Sequence, residues 1–209
     1  MMLNTQVIVV DYGMGNIWSV LNALRYLGAK AVLSSDPAQV GQADFLVLPG
    51  VGSFRKAMET LQQSGLEQAI RETVKKRGSK ILGICLGMQL LGAHGTEDGQ
   101  TVGLGLIPNK VEKFTPEELG PNKIPHVGFN AVHFSERKGL FSNLSQCADF
   151  YFVHAFRMLQ EGLPGRVATC SYGTEFLAAF EMGNICGTQF HPEKSQTNGL
   201  ILLKNFLGI

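Results

Sequence analysis

A cysteine between two glycines is the strongest chemical signal in the sequence. The run G-I-C-L-G at 83–87 follows an apolar segment at 80–84 and leads into residues with helical spacing. A strand that turns sharply into a helix forms a nucleophile elbow, whose strained turn projects the central side chain above the sheet. The helix N-terminus favours the thiolate of Cys85, and the Leu86 amide can face an oxyanion. We therefore predict that Cys85 is a nucleophile, the alternative being a buried structural cysteine beside packing glycines.

A thiol nucleophile needs a base, and His191 is the best placed of the five histidines. It follows a predicted strand at 185–190 and precedes Pro192 and Glu193. Pro192 favours an extended conformation of His191, in which residues two apart project to the same side. Glu193 can then bind one imidazole nitrogen while the other faces the thiol, which predicts a triad of Cys85, His191 and Glu193. The alternative is a histidine at the surface end of a strand.

Two further glycine-rich turns follow predicted strands. The P-G-V-G turn at 49–52 could bind a phosphate through its amides, or could supply a second oxyanion donor beside the elbow. It lacks the Lys-Ser/Thr pair of a P-loop, which disfavours nucleotide binding. The D-Y-G-M-G-N turn at 11–16 has no third glycine in place, which disfavours dinucleotide binding.

The elements that position these residues alternate between strand and helix in the first half of the chain. Apolar runs predict strands at 7–10, 31–33, 45–48 and 80–84, and helical spacing predicts helices at 16–27, at 54–77 with a break near Gly65, and from 86 onward. Continuous apolar strands that alternate with helices predict a parallel sheet covered on both faces.

The second half changes character and predicts antiparallel strands added to that sheet. The short β-like runs lie at 104–107, 131–134, 150–153, 167–170 and 178–180, and a final helix is predicted at 199–207. The chain has no internal repeat or linker, so we expect one α/β domain over residues 1–209.

Composition narrows the class of protein further. The chain has 209 residues, a net charge of +1 and 17% charged residues, against about 25% in typical domains. This balance disfavours a disordered chain and a nucleic-acid-binding protein. The low charge indicates a large core or an apolar surface that a partner covers.

Cysteine spacing and hydropathy point to the compartment. The four cysteines, Cys85, Cys147, Cys170 and Cys186, lie too far apart for a zinc motif or a dense disulfide framework. No signal peptide is evident, and no apolar run reaches the roughly 20 residues of a membrane helix. We expect a cytoplasmic protein that binds neither a membrane nor a metal ion.

Together these motifs resemble the class I (triad) glutamine amidotransferases. The segment GICLGMQLL at 83–91 is similar to that family's nucleophile elbow, and TQFHPEKS at 188–195 to its His-Pro-Glu segment. Within the class, the chain most resembles the glutaminase subunits of imidazole glycerol phosphate synthases. The motifs that carry this closer resemblance are DYGMGN at 11–16, LPGVGSF at 48–54, IPHVGFN at 124–130 and YFVHAF at 151–156.

The resemblance implies a flavodoxin-like fold and a glutaminase that needs no cofactor. Cys85 would attack the side-chain amide of L-glutamine and form a glutamyl thioester, with His191 moving protons and Glu193 orienting it. The remaining implied site residues fall into two groups: Val51, Gly52 and Leu86 for the oxyanion, and Gly52, Gln89, His154 and Ala155 for the amino-acid end of the substrate.

The resemblance also implies a partner. Ammonia would pass to a (β/α)8-barrel cyclase subunit in a heterodimer, which makes imidazole glycerol phosphate and AICAR in histidine biosynthesis. Asn16, Phe129 and Lys194 match positions at that subunit interface. Glutaminase activity would stay low until the partner is bound and occupied by its ligand.

Two positions depart from the family pattern. Phe129 stands where tryptophan is usual, and Ala155 stands where serine or threonine is usual, so an indole N–H and a hydroxyl are lost. These departures leave open a paralogous glutaminase subunit of a sugar amidotransferase that makes amidino sugars for surface polysaccharide. The intact triad disfavours a non-catalytic module, and Gln89 with the Val51 loop would be unexplained in a cysteine peptidase of related fold.

Overall fold

The structure, a computed structural model, describes residues 6–209. No helix in this range has the length and apolar character needed to cross a membrane. The strands are β1 (Gln6–Val10), β2 (Lys30–Ser34), β3 (Phe45–Gly50), β4 (Lys80–Cys85), β5 (His94–Gly95), β6 (Thr101–Val102), β7 (Lys110–Lys113), β8 (His126–Phe134), β9 (Cys147–His154), β10 (Phe156–Met158), β11 (Arg166–Tyr172), β12 (Thr174–Met182) and β13 (Ile185–Thr188). The helices are α1 (Ile17–Tyr26), α2 (Pro37–Val40), α3 (Phe54–Gln63), α4 (Leu66–Glu72), α5 (Leu86–Leu90), α6 (Pro116–Leu119) and α7 (Gln196–Leu207).

A nine-stranded sheet runs through both halves of the chain in the order β2-β1-β3-β4-β13-β12-β11-β8-β9. The first five strands in this order are parallel, and the others are antiparallel to their neighbours. The order of the parallel part corresponds to the flavodoxin-like order 2-1-3-4-5, in which ligands bind outside the carboxyl ends of the strands. The predicted α/β fold with a parallel first half and antiparallel additions is confirmed.

Apolar side chains pack on both faces of the parallel strands. Val7 and Val9 lie in one buried cluster, whereas Ile8 and Val10 lie in the other. Neighbouring residues of a strand project to opposite faces, so a strand covered on both faces must be apolar throughout. This requirement accounts for part of the low charge content.

The register brings the predicted chemistry to one edge of the sheet. Gly50, the last residue of β3, pairs with Cys85, the last residue of β4. Thr188 of β13 pairs with Ile84 on the other side of β4. The P-G-V-G turn, the elbow and the segment that contains His191 therefore leave adjacent parallel strands at the same end.

The predicted strand at 104–107 is wrong. This segment is buried loop, and its amides donate to the carbonyls that end α5: Leu104 N to Leu90 O at 2.8 Å and Leu106 N to Leu91 O at 3.0 Å. Its apolar residues are explained by burial rather than by strand pairing. The helical region at 54–77 does break at Gly65, where φ is +73°, and it ends in a π-helical turn at Thr73–Arg77. The last helix begins at Gln196, three residues earlier than predicted.

A second sheet, in the order β10-β7-β5-β6, was not predicted. Two of its strands have only two residues, too few to show an alternating pattern. This sheet borders the site, because β10 begins two residues after His154 ends β9.

Candidate active site

Cys85 occupies the turn between β4 and α5 in a conformation that few residues adopt. Its φ is +55°, and its side chain is almost completely buried. The turn is possible because Gly87 has no side chain: a Cβ there would lie 1.7 Å from the carbonyl oxygen of Leu48. The strained, tightly packed elbow is the geometry predicted for a nucleophile.

His191 and Glu193 form a buried pair beside this elbow. Nδ1 of His191 lies 2.8 Å from Oε1 of Glu193, and both side chains are withdrawn from solvent. His191 is extended, with φ −97° and ψ +97°, and a 3₁₀ turn, Pro192–Lys194, begins directly after it. The two side chains meet, but the 3₁₀ turn brings Glu193 to the imidazole, and not the extended segment that the sequence analysis expected.

The imidazole of His191 also interacts with the Cys85 thiol. Burial lowers the pKa of His191, but the interactions with the Cys85 thiol and with the Glu193 carboxylate outweigh it and raise the pKa to about 9. Nε2 of His191 forms no hydrogen bond of standard geometry among the described residues, which leaves it available to a reacting group. An imidazolium at this position stabilises a thiolate on Cys85.

Cys85 lines a small cavity of about 280 Å³, whereas His191 and Glu193 are buried outside its lining. The cavity is lined by Val51, Gly52, Cys85, Leu86, Gln89, Glu97, Pro125, Val153, His154, Ala155 and Phe156. A wider groove of about 800 Å³ runs along α2 and α4, but it contains no cysteine or histidine. The smaller cavity is the candidate active site because it combines a nucleophile, enclosing walls and few polar groups.

Every residue expected at the oxyanion and substrate positions lines this cavity. Leu86 is the first residue of α5, so its amide has no partner within the helix. Val51 and Gly52 follow β3 on the neighbouring side of the elbow. Residues of two adjacent turns therefore line the cavity beside the thiol.

His154 contributes its backbone to the wall but no acid–base group. Its Nδ1 donates to the Phe156 carbonyl at 2.9 Å, so its Nε2 must accept from Nδ1 of His126 at 3.1 Å. Burial lowers the pKa of His154 to about 3 and that of His126 to about 4. Both rings are neutral at pH 7, in contrast to His191.

Glu97 lines the cavity and was missed by the sequence reasoning. Its Oε2 accepts from the Phe54 amide at 2.8 Å, at the start of α3, and burial raises its pKa. It lies in a T-E-D-G segment at 96–99, which looks like an ordinary surface turn in the sequence. A half-buried carboxylate beside the nucleophile is nevertheless well placed to bind a cation.

Asn16, Phe129 and Lys194 lie outside the cavity. Phe129 is half exposed and contacts the Tyr151 ring edge-on at 5.5 Å, and Nζ of Lys194 lies 5.6 Å from the centre of the same ring. Asn16 directly precedes α1, where its Oδ1 accepts from the Ser19 hydroxyl at 3.1 Å. Residues of α1 and of the Pro192–Lys194 turn line a common groove.

A family model described as "Glutamine amidotransferase class-I" matches residues 8–208. The chain is 41% identical to "Imidazole glycerol phosphate synthase subunit HisH 1" of Parasynechococcus marenigrum over 97% of each chain. It is 45% identical to "Imidazole glycerol phosphate synthase subunit HisH" of Moorella thermoacetica over 95% of this chain and 92% of that one.

Two solved structures share the fold at low sequence identity. PurLQS from Thermotoga maritima aligns with a TM-score of 0.74 at 17% identity, over 99% of each chain. A crystal structure described as a glutamine amidotransferase aligns with a TM-score of 0.72 at 19% identity, over 97% of this chain and 99% of that one.

Proposed function

The chain belongs to the class I glutamine amidotransferase family, and on this premise we propose that Cys85, His191 and Glu193 are the triad that hydrolyses glutamine. The observation that carries the proposal is the buried His191–Glu193 pair whose imidazole also interacts with the thiol of the elbow. A nucleophile in the cavity wall, with a base and an orienting carboxylate buried beside it, forms a complete set for acyl transfer.

The chain is the glutaminase subunit of imidazole glycerol phosphate synthase, an enzyme of histidine biosynthesis. Relatives of 41–45% identity, which align over nearly their whole length, are all subunits of that synthase. The nucleophile elbow and the His-Pro-Glu segment are both intact in this chain.

The proposed reaction begins with attack of the Cys85 thiolate on the side-chain amide carbon of glutamine. The carbonyl oxygen becomes an oxyanion, for which the amides of Leu86 and of Val51 or Gly52 are the proposed donors. His191 gives its proton to the amide nitrogen, and ammonia leaves as the C–N bond breaks. Water then attacks the glutamyl thioester, His191 takes a proton from that water, and glutamate is released with the free thiol.

The opposite end of the substrate would lie against Gln89, Glu97, Gly52 and the His154–Ala155 backbone. All of these groups line the cavity that contains Cys85. The Glu97 carboxylate matches the α-ammonium group of glutamine in charge, and the backbone of the opposite wall is proposed to hold the α-carboxylate.

The raised pKa of His191 predicts the alkaline limb of the pH profile. Because His191 must be protonated to release ammonia, we expect kcat/KM for glutamine to fall above about pH 9. In Glu193→Gln the carboxylate that helps to raise this pKa is absent, so the limb should move to lower pH. A pH–rate series on both proteins measures the shift, and an alkaline limb that stays in place would contradict this role of Glu193.

We also propose that ammonia passes to a (β/α)8-barrel cyclase subunit bound around Asn16, Phe129 and Lys194. Supporting this site, Phe129 is exposed, and so are two apolar side chains close in sequence to these residues: Trp18, two residues from Asn16, and Val127, two residues from Phe129. Exposed apolar groups of this kind are typical of the centre of an interface. The chain would work in the cytoplasm, as one glutaminase domain over residues 1–209.

Lys194 offers a test of this interface. Its exposed side chain follows Glu193 directly, so contact with a partner at this turn acts on the triad. In the assembled synthase, we expect Lys194→Ala to lower glutamine-dependent synthesis several-fold while leaving synthesis from added ammonia unchanged. Lys76→Ala, which removes an exposed lysine from the remote groove, is the matched control. If the ratio of glutamine-dependent synthesis to synthesis from added ammonia is equal in the Lys194 variant, the control and the wild type, Lys194 is excluded from the interface.

A further inference from the structure

A buried pair of amide side chains connects the cavity wall to the nucleophile. Gln89 lines the cavity, and Gln189, which follows β13, is completely buried behind it. Nε2 of Gln189 lies 3.8 Å from Sγ of Cys85, within hydrogen-bonding distance of sulfur. Gln189 has no place in the triad or in the proposed contacts with substrate.

The orientation of both amides follows from one carbonyl group. The Phe156 oxygen can only accept a hydrogen bond, so the group that lies 2.9 Å from it must be the Nε2 amine of Gln89. The same nitrogen lies 3.0 Å from Oε1 of Gln189 and donates to it. Gln189 therefore turns its own Nε2 toward Cys85.

This arrangement has one consequence for the groups of Gln89 that can contact a ligand and another for the sulfur of Cys85. Both hydrogens of the Gln89 amine are used, so only Oε1 of Gln89 remains to contact a ligand, and it can only accept. At the other end, an N–H group that faces sulfur favours the thiolate over the thiol. The Val153 carbonyl, 3.7 Å from the same sulfur, favours the protonated thiol instead.

We propose that Gln189 is a positioning residue with two separable roles. Its Nε2–H group stabilises the Cys85 thiolate, and its Oε1 fixes Gln89 so that Oε1 of Gln89 accepts from the α-ammonium group of glutamine. The inference rests on the proposed function, in which Cys85 is the nucleophile and glutamine the substrate. Among the described residues, Tyr12 and His191 interact electrostatically with the Cys85 thiol, and Glu193 pairs with His191.

Two substitutions separate these roles. Gln189→Glu keeps an acceptor for Gln89 but replaces the donor near sulfur with a carboxylate that repels the thiolate. Gln189→Met has a similar length and removes both the donor and the acceptor. Gln62→Glu, at an exposed position of α3, controls for the added charge.

The measurement is alkylation of Cys85 by iodoacetamide as a function of pH, quantified by peptide mass spectrometry. A hydrogen bond to a charged group contributes enough for us to expect alkylation about 10- to 100-fold slower at pH 7 in both Gln189 variants. The pH at which the alkylation rate of Cys85 is half its maximum should also rise in both variants. KM for glutamine should rise in Gln189→Met and change little in Gln189→Glu. The exposed Cys147 serves as the internal reference, because its rate should not change.

The outcomes distinguish this inference from the proposed function. Wild-type alkylation rates and midpoints in Gln189→Glu would overturn the role toward the thiolate, even if KM rises. An unchanged KM in Gln189→Met would overturn the role toward Gln89. In either case the proposed function stands if the wild type hydrolyses glutamine and Cys85→Ala does not. If Gln189→Met fails to fold, the isosteric Gln189→Glu still decides the role toward the thiolate.

Discussion

Replacing Cys85 with alanine is expected to lower glutamine hydrolysis by at least ~10³-fold, the scale seen when a triad nucleophile is removed. The substitution deletes one sulfur atom at the end of β4 and leaves the backbone of the elbow under the same strain. Alanine has no group that can form a thioester. The loss should therefore appear in kcat rather than in folding.

The synthase supplies an internal control for this variant. Ammonia added to the medium bypasses the glutaminase, so the partner should still form product from ammonia at the wild-type rate. Cys147→Ala is the matched substitution, because it removes an exposed thiol on the antiparallel side of the sheet and should leave both activities unchanged. Glutamine-dependent synthesis that survives in Cys85→Ala would exclude Cys85 as the nucleophile.

Replacing Glu97 with glutamine is expected to raise KM for glutamine about 10- to 100-fold, the cost of losing a charge-assisted hydrogen bond. The amide oxygen of the variant can still accept from the Phe54 amide, so the start of α3 is preserved. The proposed ion pair forms with a part of the substrate that does not react. The loss should therefore fall on KM more than on kcat.

The neighbouring carboxylate provides the control. Asp98 accepts from the Ser53 hydroxyl at 2.8 Å and does not line the cavity. Asp98→Asn makes the same chemical change one residue away, and we expect it to leave KM unchanged. Steady-state kinetics on both variants decide the matter: an equal rise in KM in the two variants would argue against a contact between Glu97 and the substrate.

The parts of the site that the sequence predicted are those set by local geometry. The G-x-C-x-G spacing between a predicted strand and a predicted helix indicates the elbow, because close contact of strand and helix permits only glycine at Gly87. The pairing of His191 with Glu193 was predicted from their spacing of two residues, although a 3₁₀ turn at Pro192–Lys194, and not an extended segment, brings the two side chains together. Parallel strand order then brings both segments to one edge, as α/β sheets require.

The parts that were missed depend on contacts between distant segments. Glu97 lines the cavity with its carboxylate bonded to an amide 43 residues away. Gln189 meets Gln89 across 100 residues. The buried segment at 104–107 mimics a strand, because burial beneath α5 and pairing in a sheet both select apolar residues. No pattern within a short window carries this information.

The two departures from the family pattern keep the groups on which the proposed roles of these positions depend. Ala155 lines the cavity, and its proposed contact with substrate uses the backbone, which does not depend on a hydroxyl. Phe129 retains an aromatic ring packed against Tyr151, with 52% of its surface exposed for a partner to cover. Both positions remain compatible with the histidine-pathway subunit.

The central claim is that Cys85 receives the glutamyl group, and labelling with a diazo-ketone analogue of glutamine tests it at the atom concerned. Burial raises the pKa of Cys170 and Cys186 to about 12, so both stay protonated and inert, whereas Cys147 is exposed and lies outside the cavity proposed for the amino-acid end. Peptide mass spectrometry of the labelled synthase should find the adduct on Cys85 alone. Glutaminase activity should fall in proportion to the fraction of Cys85 that is labelled. Labelling of Cys147 at an equal rate, or complete labelling at Cys85 with full activity retained, would contradict the claim.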